Sequence, residues 1–452
     1  MNDDPGFLRL LGRRDVVALA FGAMIGWSWV VLTGAWIGEA GALGAVLAFA
    51  LGGVVMTLIG LTYAELASAL PFAGGEHVYA ERALGSGVAF LCTWAIVLGY
   101  VSVCAFEAVA LPTVVGVFVP GLDAMPLWTV AGWTVTAPWV AIGVVAAIAV
   151  TWINVIGVRI AAVVQTVVVA AILAVGMVFL TGAGLQGDAA NLAPAFADGL
   201  GGLLGVVVMV PFLFVGFDVI PQAAEELDVP PRAIGRLLVI AVALATAWYA
   251  LIVLGVGLAL PADVRATAEL VTADAMASLW GPAGSTVLVV AGLGGIVTSW
   301  NAFVVGGSRA IYAMARAGQL PAALGRLHPR YRTPYLAIVL IGALSVVAPL
   351  FGRPALVWLV DAGGLGIIVA YGTVAAAFLV LRRREPELAR PFRVPAGTAV
   401  GWSALILSVA IATLYLPGSP AALLWPQEWV IVLGWATLGA ALFGLARGRG
   451  AR

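Results

Sequence analysis

Val210-Pro211-Phe212-Leu213-Phe214-Val215-Gly216-Phe217-Asp218-Val219-Ile220-Pro221 places two prolines, a glycine and an aspartate inside an otherwise apolar run. Each proline removes a backbone donor and clashes with the preceding turn, and glycine weakens a helix by about 1 kcal/mol against alanine. A helix running through this stretch is expected to break. A second such stretch is Phe21-Gly22-Ala23-Met24-Ile25-Gly26-Trp27-Ser28-Trp29, with two glycines four apart followed by a serine. Taken alone, Gly22 and Gly26 also read as a small-xxx-small helix-packing face. In lipid, unpaired backbone survives only where protein buries it or it lines a cavity.

The surroundings of both stretches say that lipid is the right solvent to consider. Of 452 residues, 63% are apolar and 10% charged, against roughly 25% charged in a soluble domain. Mean hydropathy is +1.10. The net charge of zero and the lack of a basic footprint argue against nucleic acid as a partner. All 22 basic side chains are arginine. Cys92 and Cys104 stand twelve residues apart in one apolar run, about 18 Å along a helix, too far for a disulfide. No metal-ligand spacing occurs, and no cofactor is expected.

A spanning helix needs about 20 mostly apolar residues. About twelve stretches qualify: 16–38, 42–69, 85–119, 138–156, 159–182, 200–221, 233–260, 283–313, 334–351, 355–381, 399–416 and 428–446. With the N-terminus inside, 20 arginines fall on the inner side and only Arg265 and Arg353 outside, so both termini are expected in the cytoplasm. Trp128, Trp133, Trp139, Trp425 and Trp429 are expected as outer interfacial anchors. The two breaks open two successive blocks of five spans, the pattern of an inverted-repeat transporter. The expected organisation is an all-α membrane protein: a segment 1–15, a first repeat 16–182, a second repeat 200–381, two further helices in 399–446 and a tail 447–452.

Broken helices offer chemistry. Free N–H groups at a half-helix start hold a carboxylate, while freed carbonyls accept from an ammonium or coordinate a cation. An α-amino acid needs both at once. Charge inside a bilayer costs at least about 2.5 kcal/mol and marks a functional candidate. Glu107, deep in the third span, shares a helical face with Tyr100, Cys104 and Leu111. Two readings stand for it: a coupling or substrate group, or a protonated carboxyl bonded to a neighbouring helix. Glu39, Glu65 and Asp361 read as interfacial or scaffold groups, and His77 as a solvated loop residue. Glu225, Glu226 and Asp228 are expected to cap a helix or pair with Arg232 and Arg236.

In order along nearly the whole chain, several motifs carry a resemblance. They are Gly22-Ala23-Met24-Ile25-Gly26; Tyr63-Ala64-Glu65-Leu66 with Pro71-Phe72-Ala73-Gly74-Gly75-Glu76-His77-Val78-Tyr79; and Phe214-Val215-Gly216-Phe217-Asp218 with Ala224-Glu225-Glu226-Leu227. Ser308-Arg309 with Tyr312-Ala313-Met314-Ala315-Arg316, and Leu381-Arg382-Arg383-Arg384-Glu385-Pro386, complete the set. The chain resembles bacterial amino acid permeases of the amino acid–polyamine–organocation superfamily. That resemblance implies a leucine-transporter-like five-plus-five inverted repeat with helices 1 and 6 discontinuous, working by alternating access. By position it puts the substrate carboxylate at Ile25, Gly26, Trp27 and Ser28, and the amino group at carbonyls near Phe212, Val215 and Gly216. Phe212 and Asp218 fall at gating positions. Cys104, Asn301, Phe303 and Gly363 would complete the pocket. Proton-coupled members often carry a lysine aligning near Ala171 or Ile172, and this chain has no lysine. A proton carried by Glu107 or Asp218 is one coupling reading; sodium held near Ala23, Met24, Thr298 and Ser299 is another.

The competing classes have less behind them. A membrane-embedded enzyme needs a nucleophile or metal constellation, and no HExxH or GxSxG occurs. A channel gives no reason for matched breaks, and an ATP-driven pump would need a phosphate-binding lysine loop that is missing. The partners expected are the bilayer, an amino acid or related amine, and H+ or Na+. A polyamine or cationic-amine permease is the alternative within transporters, and the expected location is the cytoplasmic membrane.

Overall fold

Helical backbone runs over α1 (Arg13–Ile25), turns at Gly26–Trp27, and resumes as α2 (Ser28–Val31) and α3 (Thr33–Ala40). Next come α4 (Ala42–Ala69), the short α5 (Glu76–Leu84) and α6 (Ser86–Phe118). α7 (Ala137–Ile156) and α8 (Val158–Gln186) follow. The second interruption lies between α9 (Gly199–Phe214) and α10 (Val219–Gln222), with turns over 215–218. Beyond it are α11 (Pro231–Ala259), α12 (Ala262–Thr267) and α13 (Val271–Arg316). α14 (Tyr335–Val347), α15 (Pro354–Arg384), α16 (Gly397–Thr413) and α17 (Gln427–Gly450) complete the chain. This computed structural model describes residues 7, 9–268, 270–419 and 422–450, without the side chains of 117, 158–162 and 447–450. The side chains of Arg159, Arg447, Arg449 and Arg452, all expected on the inner side, lie outside that set.

Ten helical segments among the described residues are long and apolar enough to cross a bilayer. Tyr335–Phe351 and Gly397–Thr413 are apolar but shorter; 17 residues rise only about 26 Å against a hydrocarbon core of about 30 Å. Two local features depart from the sequence expectation. An antiparallel hairpin, β1 (Pro126–Val130) with β2 (Trp133–Thr136), joins α6 to α7, so the chain is not purely helical. α13 begins twelve residues earlier than the expected 283 and bends at Gly281, whose φ is 74°, just before Pro282.

The pattern of exposure is that of a protein solvated by lipid. Val145, Trp152, Val167, Met177, Val430 and Leu445 are each at least 60% exposed, apolar faces that a water-soluble protein would have to cover. The interior contains α6, which runs along α15 and also packs on α13, while α4 packs along α11. α1 lies against α13, α11 and α8, so the first break is enclosed by other helices. Of the expected anchors, Trp128 is 44% and Trp425 74% exposed. Trp139 instead is 5% exposed, with its ring 4.7 Å from that of Trp133; it is packing, not an anchor.

Ion pairs tie together the loops expected on the inner side. Glu65 is fully buried and accepts from Arg382 at 2.8 and 2.5 Å and from the Val394 N–H at 2.7 Å, with Arg390 at 3.0 Å. Arg82 forks onto Glu385 nearby. Glu226 does not pair with Arg232 or Arg236. It holds Arg309 of α13 at 2.6 and 3.1 Å, with both side chains buried, and its carbonyl accepts from Leu10 and Leu11. Glu225 accepts from the Ala73 N–H instead of an arginine. His77 is 2% exposed rather than solvated, with Nδ1 on Thr93. Burial pushes its pKa down to about 4, so it is neutral at physiological pH.

Candidate functional site at the meeting of two helix breaks

An α-helix that stops leaves its last four carbonyls without intrahelical donors. For α1 these belong to Gly22, Ala23, Met24 and Ile25; for α9 they belong to residues 211–214. The two breaks touch. Gly216 has φ +133°, and a Cβ there would lie 2.5 Å from the Ala23 Cβ and 3.0 Å from the Met24 N, so only glycine fits this crossing. On the other side, a Cβ at Gly295 of α13 would meet the Gly26 carbonyl at 2.0 Å. That glycine lets the first break lie directly on α13.

Side chains from neighbouring helices satisfy part of the exposed backbone. Tyr249 of α11 donates to the Met24 carbonyl at 2.6 Å and stands 3.3 Å from the Leu213 carbonyl, while Ser28 Oγ meets its hydroxyl at 2.9 Å. One buried hydroxyl therefore spans both breaks. Thr298 Oγ1 reaches the Gly22 carbonyl at 3.3 Å and the Gly295 carbonyl at 3.0 Å. A buried bond of this kind contributes about 1 kcal/mol, and leaving its partners unpaired costs about 1–3 kcal/mol. Tyr249→Phe is accordingly expected to destabilise the protein by about 1–3 kcal/mol in thermal or denaturant unfolding. A variant as stable as the parent would show that the hydroxyl does not hold the breaks together.

Between the breaks is a small cavity of about 30 Å³, room for about two waters. Ala23, Met24, Gly26, Trp27, Ser28 and Leu32 line it from the first break, Phe212 and Leu213 from the second. α6 adds Val103, Phe106 and Glu107, and α13 adds Ser299 and Phe303. Phe106 and Phe212 approach with ring centroids 6.1 Å apart, and Tyr100 and Phe303 at 5.5 Å. Glu107 is the one charged residue of the lining and is 2% exposed. Its Oε1 accepts from Ser299 Oγ beside Gly26, and its Oε2 has no hydrogen-bond partner among the described residues.

Asp218 is fully buried at the end of the second break. Its Oδ1 accepts from the Gly216 N–H at 2.7 Å and from Tyr371 at 3.2 Å, and its Oδ2 from Tyr100. It ties α6, α15 and the break into one network.

Of the residues singled out from sequence, Gly26, Trp27, Ser28, Phe212, Phe303, Glu107, Ala23, Met24 and Ser299 come together around the cavity. Ile25 is buried just outside the lining, and Val215 and Gly216 form the turn behind it. Cys104 directs its Sγ toward the Trp300 carbonyl. Asn301 points away, donating to Gln165 of α8 at 3.2 Å. Gly363 packs on Ser102, a Cβ there falling 3.5 Å from the Phe212 ring. Ala171 faces outward and Ile172 is buried; Gln165 of α8 reaches the Ala18 carbonyl of α1 at 3.3 Å, and Thr166 reaches Asp15 of α1 at 3.0 Å. Tyr249 was not legible as part of the site. The one available signal was a tyrosine hydroxyl in an apolar helix, which needs a partner when buried.

A many-helix membrane protein enclosing a small polar cradle at two crossed helix breaks has the build of a small-molecule transporter. The family model described as amino acid permease matches residues 11–438, and the chain belongs to that family. It is similar to the branched-chain amino acid permease BcaP of Bacillus subtilis, 27% identical and covering 86% of this chain and 84% of the relative. It is 25% identical to the methylthioribose transporter of the same organism, covering 96% and 92%. It is 29% identical to the vacuolar cationic amino acid transporter 4 of Arabidopsis thaliana, covering 85% and 65%.

Proposed function

We propose that this chain is a secondary active transporter that carries amino acids across the cytoplasmic membrane by alternating access, coupled to protons or running as an exchanger. Both termini lie in the cytoplasm, and residues 16–182 and 200–381 form two inverted five-helix repeats. The observation that carries this reading is the small cavity bounded by both helix breaks, with Glu107 as the one ionisable side chain of its lining. The substrate carboxylate sits against the N–H groups of Gly26, Trp27 and Ser28, where the half-helix dipole is positive. The ammonium meets carbonyls at the end of α9, near Phe212. Val103, Phe106, Leu213 and Phe303 give the substrate side chain an apolar wall, which suits a neutral aliphatic group, in keeping with the similarity to a branched-chain amino acid permease. Phe212 and Asp218 act as gates, and Glu107 carries the proton.

A cationic substrate is the second reading, favoured by the unpartnered Glu107 Oε2 and by the similarity to a cationic amino acid transporter. Sodium at Ala23, Met24, Thr298 and Ser299 is the other coupling reading: the Thr298 and Ser299 hydroxyls lie beside the first break, and donating their protons to the Gly22 or Gly295 carbonyl and to Glu107 leaves their oxygen lone pairs free for a cation.

The test is uptake by proteoliposomes of labelled leucine, isoleucine, serine, arginine and putrescine, under imposed proton, sodium or counter-substrate gradients. Accumulation of leucine or isoleucine driven by external acid or by internal substrate is the expected result. Uptake of arginine or putrescine alone would move the assignment to the cationic reading. Transport of none of the five under any gradient would overturn the amino acid assignment.

A further inference from the structure

Glu76 opens α5, between the second and third spans, and is fully buried. Tyr63 of α4 donates to its Oε1 at 3.3 Å, and the Gln222 side chain of α10 contacts its Oε2. The same turn is held against α10 through the backbone, Gly74 N–H donating to the Gln222 carbonyl at 3.2 Å. Asp218, the other buried carboxylate of this region, is linked to Glu76 through aromatic rings. The Tyr63 ring lies 5.6 Å from that of Tyr371, whose hydroxyl bonds Asp218.

No cation answers this pair among the described residues. Around Glu76 the titratable groups are Tyr63, Tyr79, Cys92, Tyr100, Tyr371 and Asp218, none of them positive. The buried arginine of α13, Arg309, is taken by Glu226, and Arg82 of α5 by Glu385. On the same helix, His77 turns to Thr93 and Glu81. Two uncompensated carboxylates in a dry interior are strongly disfavoured, so one of them holds a proton. Asp218 is the better anion, with a backbone N–H and two tyrosine hydroxyls on it. Gln222 supplies the complementary sign for Glu76. Its Oε1 is buried without a partner, and half a turn of the amide lets that oxygen accept from a carboxylic O–H. Burial, and then the charge of Asp218, push the Glu76 pKa well above the usual carboxylate range.

We propose that Glu76 is a proton-binding site on the inner side of the Asp218 network, protonated and bonded to Gln222 while α10 rests on the 74–76 turn. When α10 leaves that turn, the carboxyl gains water, loses its proton to the cytoplasm and releases the second break. Internal acid then holds the inner side shut. This regulation rests on the transport reading; the protonation itself does not.

Infrared difference spectra of the full-length protein in lipid vesicles read the proton directly. At about pH 7, where a free glutamate is ionised, the parent should show a protonated-carboxyl stretch that Glu76→Gln removes and that Tyr63→Phe shifts without abolishing. If Asp218→Asn removes the band and Glu76→Gln leaves it, or if Tyr63→Phe leaves it unmoved, the proposal is overturned. Should Glu76→Gln not fold, the band shift in Tyr63→Phe still decides the matter. Leucine exchange from vesicles of varied internal pH then tests the regulation: inhibition by internal acid in the parent should be lost in Glu76→Gln. A parent-like internal-pH profile in that variant would overturn the regulatory step. Failure of leucine to be transported at all would count against the amino acid reading and leave the infrared result standing.

Discussion

Replacing Glu107 with glutamine should remove the dependence of uptake on external pH and lower gradient-driven accumulation by about ten- to a hundredfold, the equivalent of roughly 1.5–3 kcal/mol for a lost charged hydrogen bond. The substitution keeps shape and can keep the bond from Ser299 Oγ, so loss of coupling would not be loss of the cavity. Glu107 is the charged residue of the cavity wall, and its Oε2 has no partner among the described residues, which leaves that oxygen available to a proton or an ammonium. Counterflow at equal pH on both sides should survive better than driven uptake, because exchange needs no net proton movement. Uptake by Glu107→Gln with the parent's pH profile and turnover would remove Glu107 from the mechanism.

The largest stability effect is expected at Arg309. Its guanidinium is 1% exposed and forks onto Glu226. Arg309→Met leaves the Glu226 carboxylate buried and unpaired, which typically costs about 3–5 kcal/mol. Glu226→Gln in the Arg309→Met background should recover part of that loss, because a neutral pair removes the uncompensated charge. The same carboxylate's backbone carbonyl receives Leu10 and Leu11, so the single variant should also loosen the N-terminal segment and raise its protease sensitivity. Thermal unfolding in detergent or lipid checks both variants. A single variant within about 1 kcal/mol of the parent would mean that the pair is solvated in the folded protein.

Much of the helical plan was readable because lipid imposes it. A backbone without water must satisfy its own hydrogen bonds, so apolar runs near the length of a bilayer become helices, as α4, α6 and α11 do. The β1–β2 hairpin was not foreseen: its sequence is short, tryptophan-rich and beside a span, and interfacial tryptophan reads as an anchor. The extension of α13 back to Val271 was hidden by Gly281-Pro282, which reads as a stop although helix resumes beyond the bend.

For the charged residues, sequence position did not give partners, and for some it did not give depth. Glu226 stands six and ten residues from Arg232 and Arg236, yet its cation is Arg309 on α13. Glu76 and His77 look like loop residues, but the 74–76 turn is pressed against α10 and buried. Tyr249 joins the site only because α11 crosses both breaks.

Composition and helix-breaking residues by themselves determined that this is a many-helix membrane protein with weak points at 21–29 and 210–221, because solvation and backbone pairing are local demands. Tertiary structure alone decided that the two weak points meet through Gly216 and Gly295, which side chains answer the freed carbonyls, and which buried acids lack a cation. Those outcomes depend on helices distant in sequence coming within a few ångströms, a relation that no local pattern encodes.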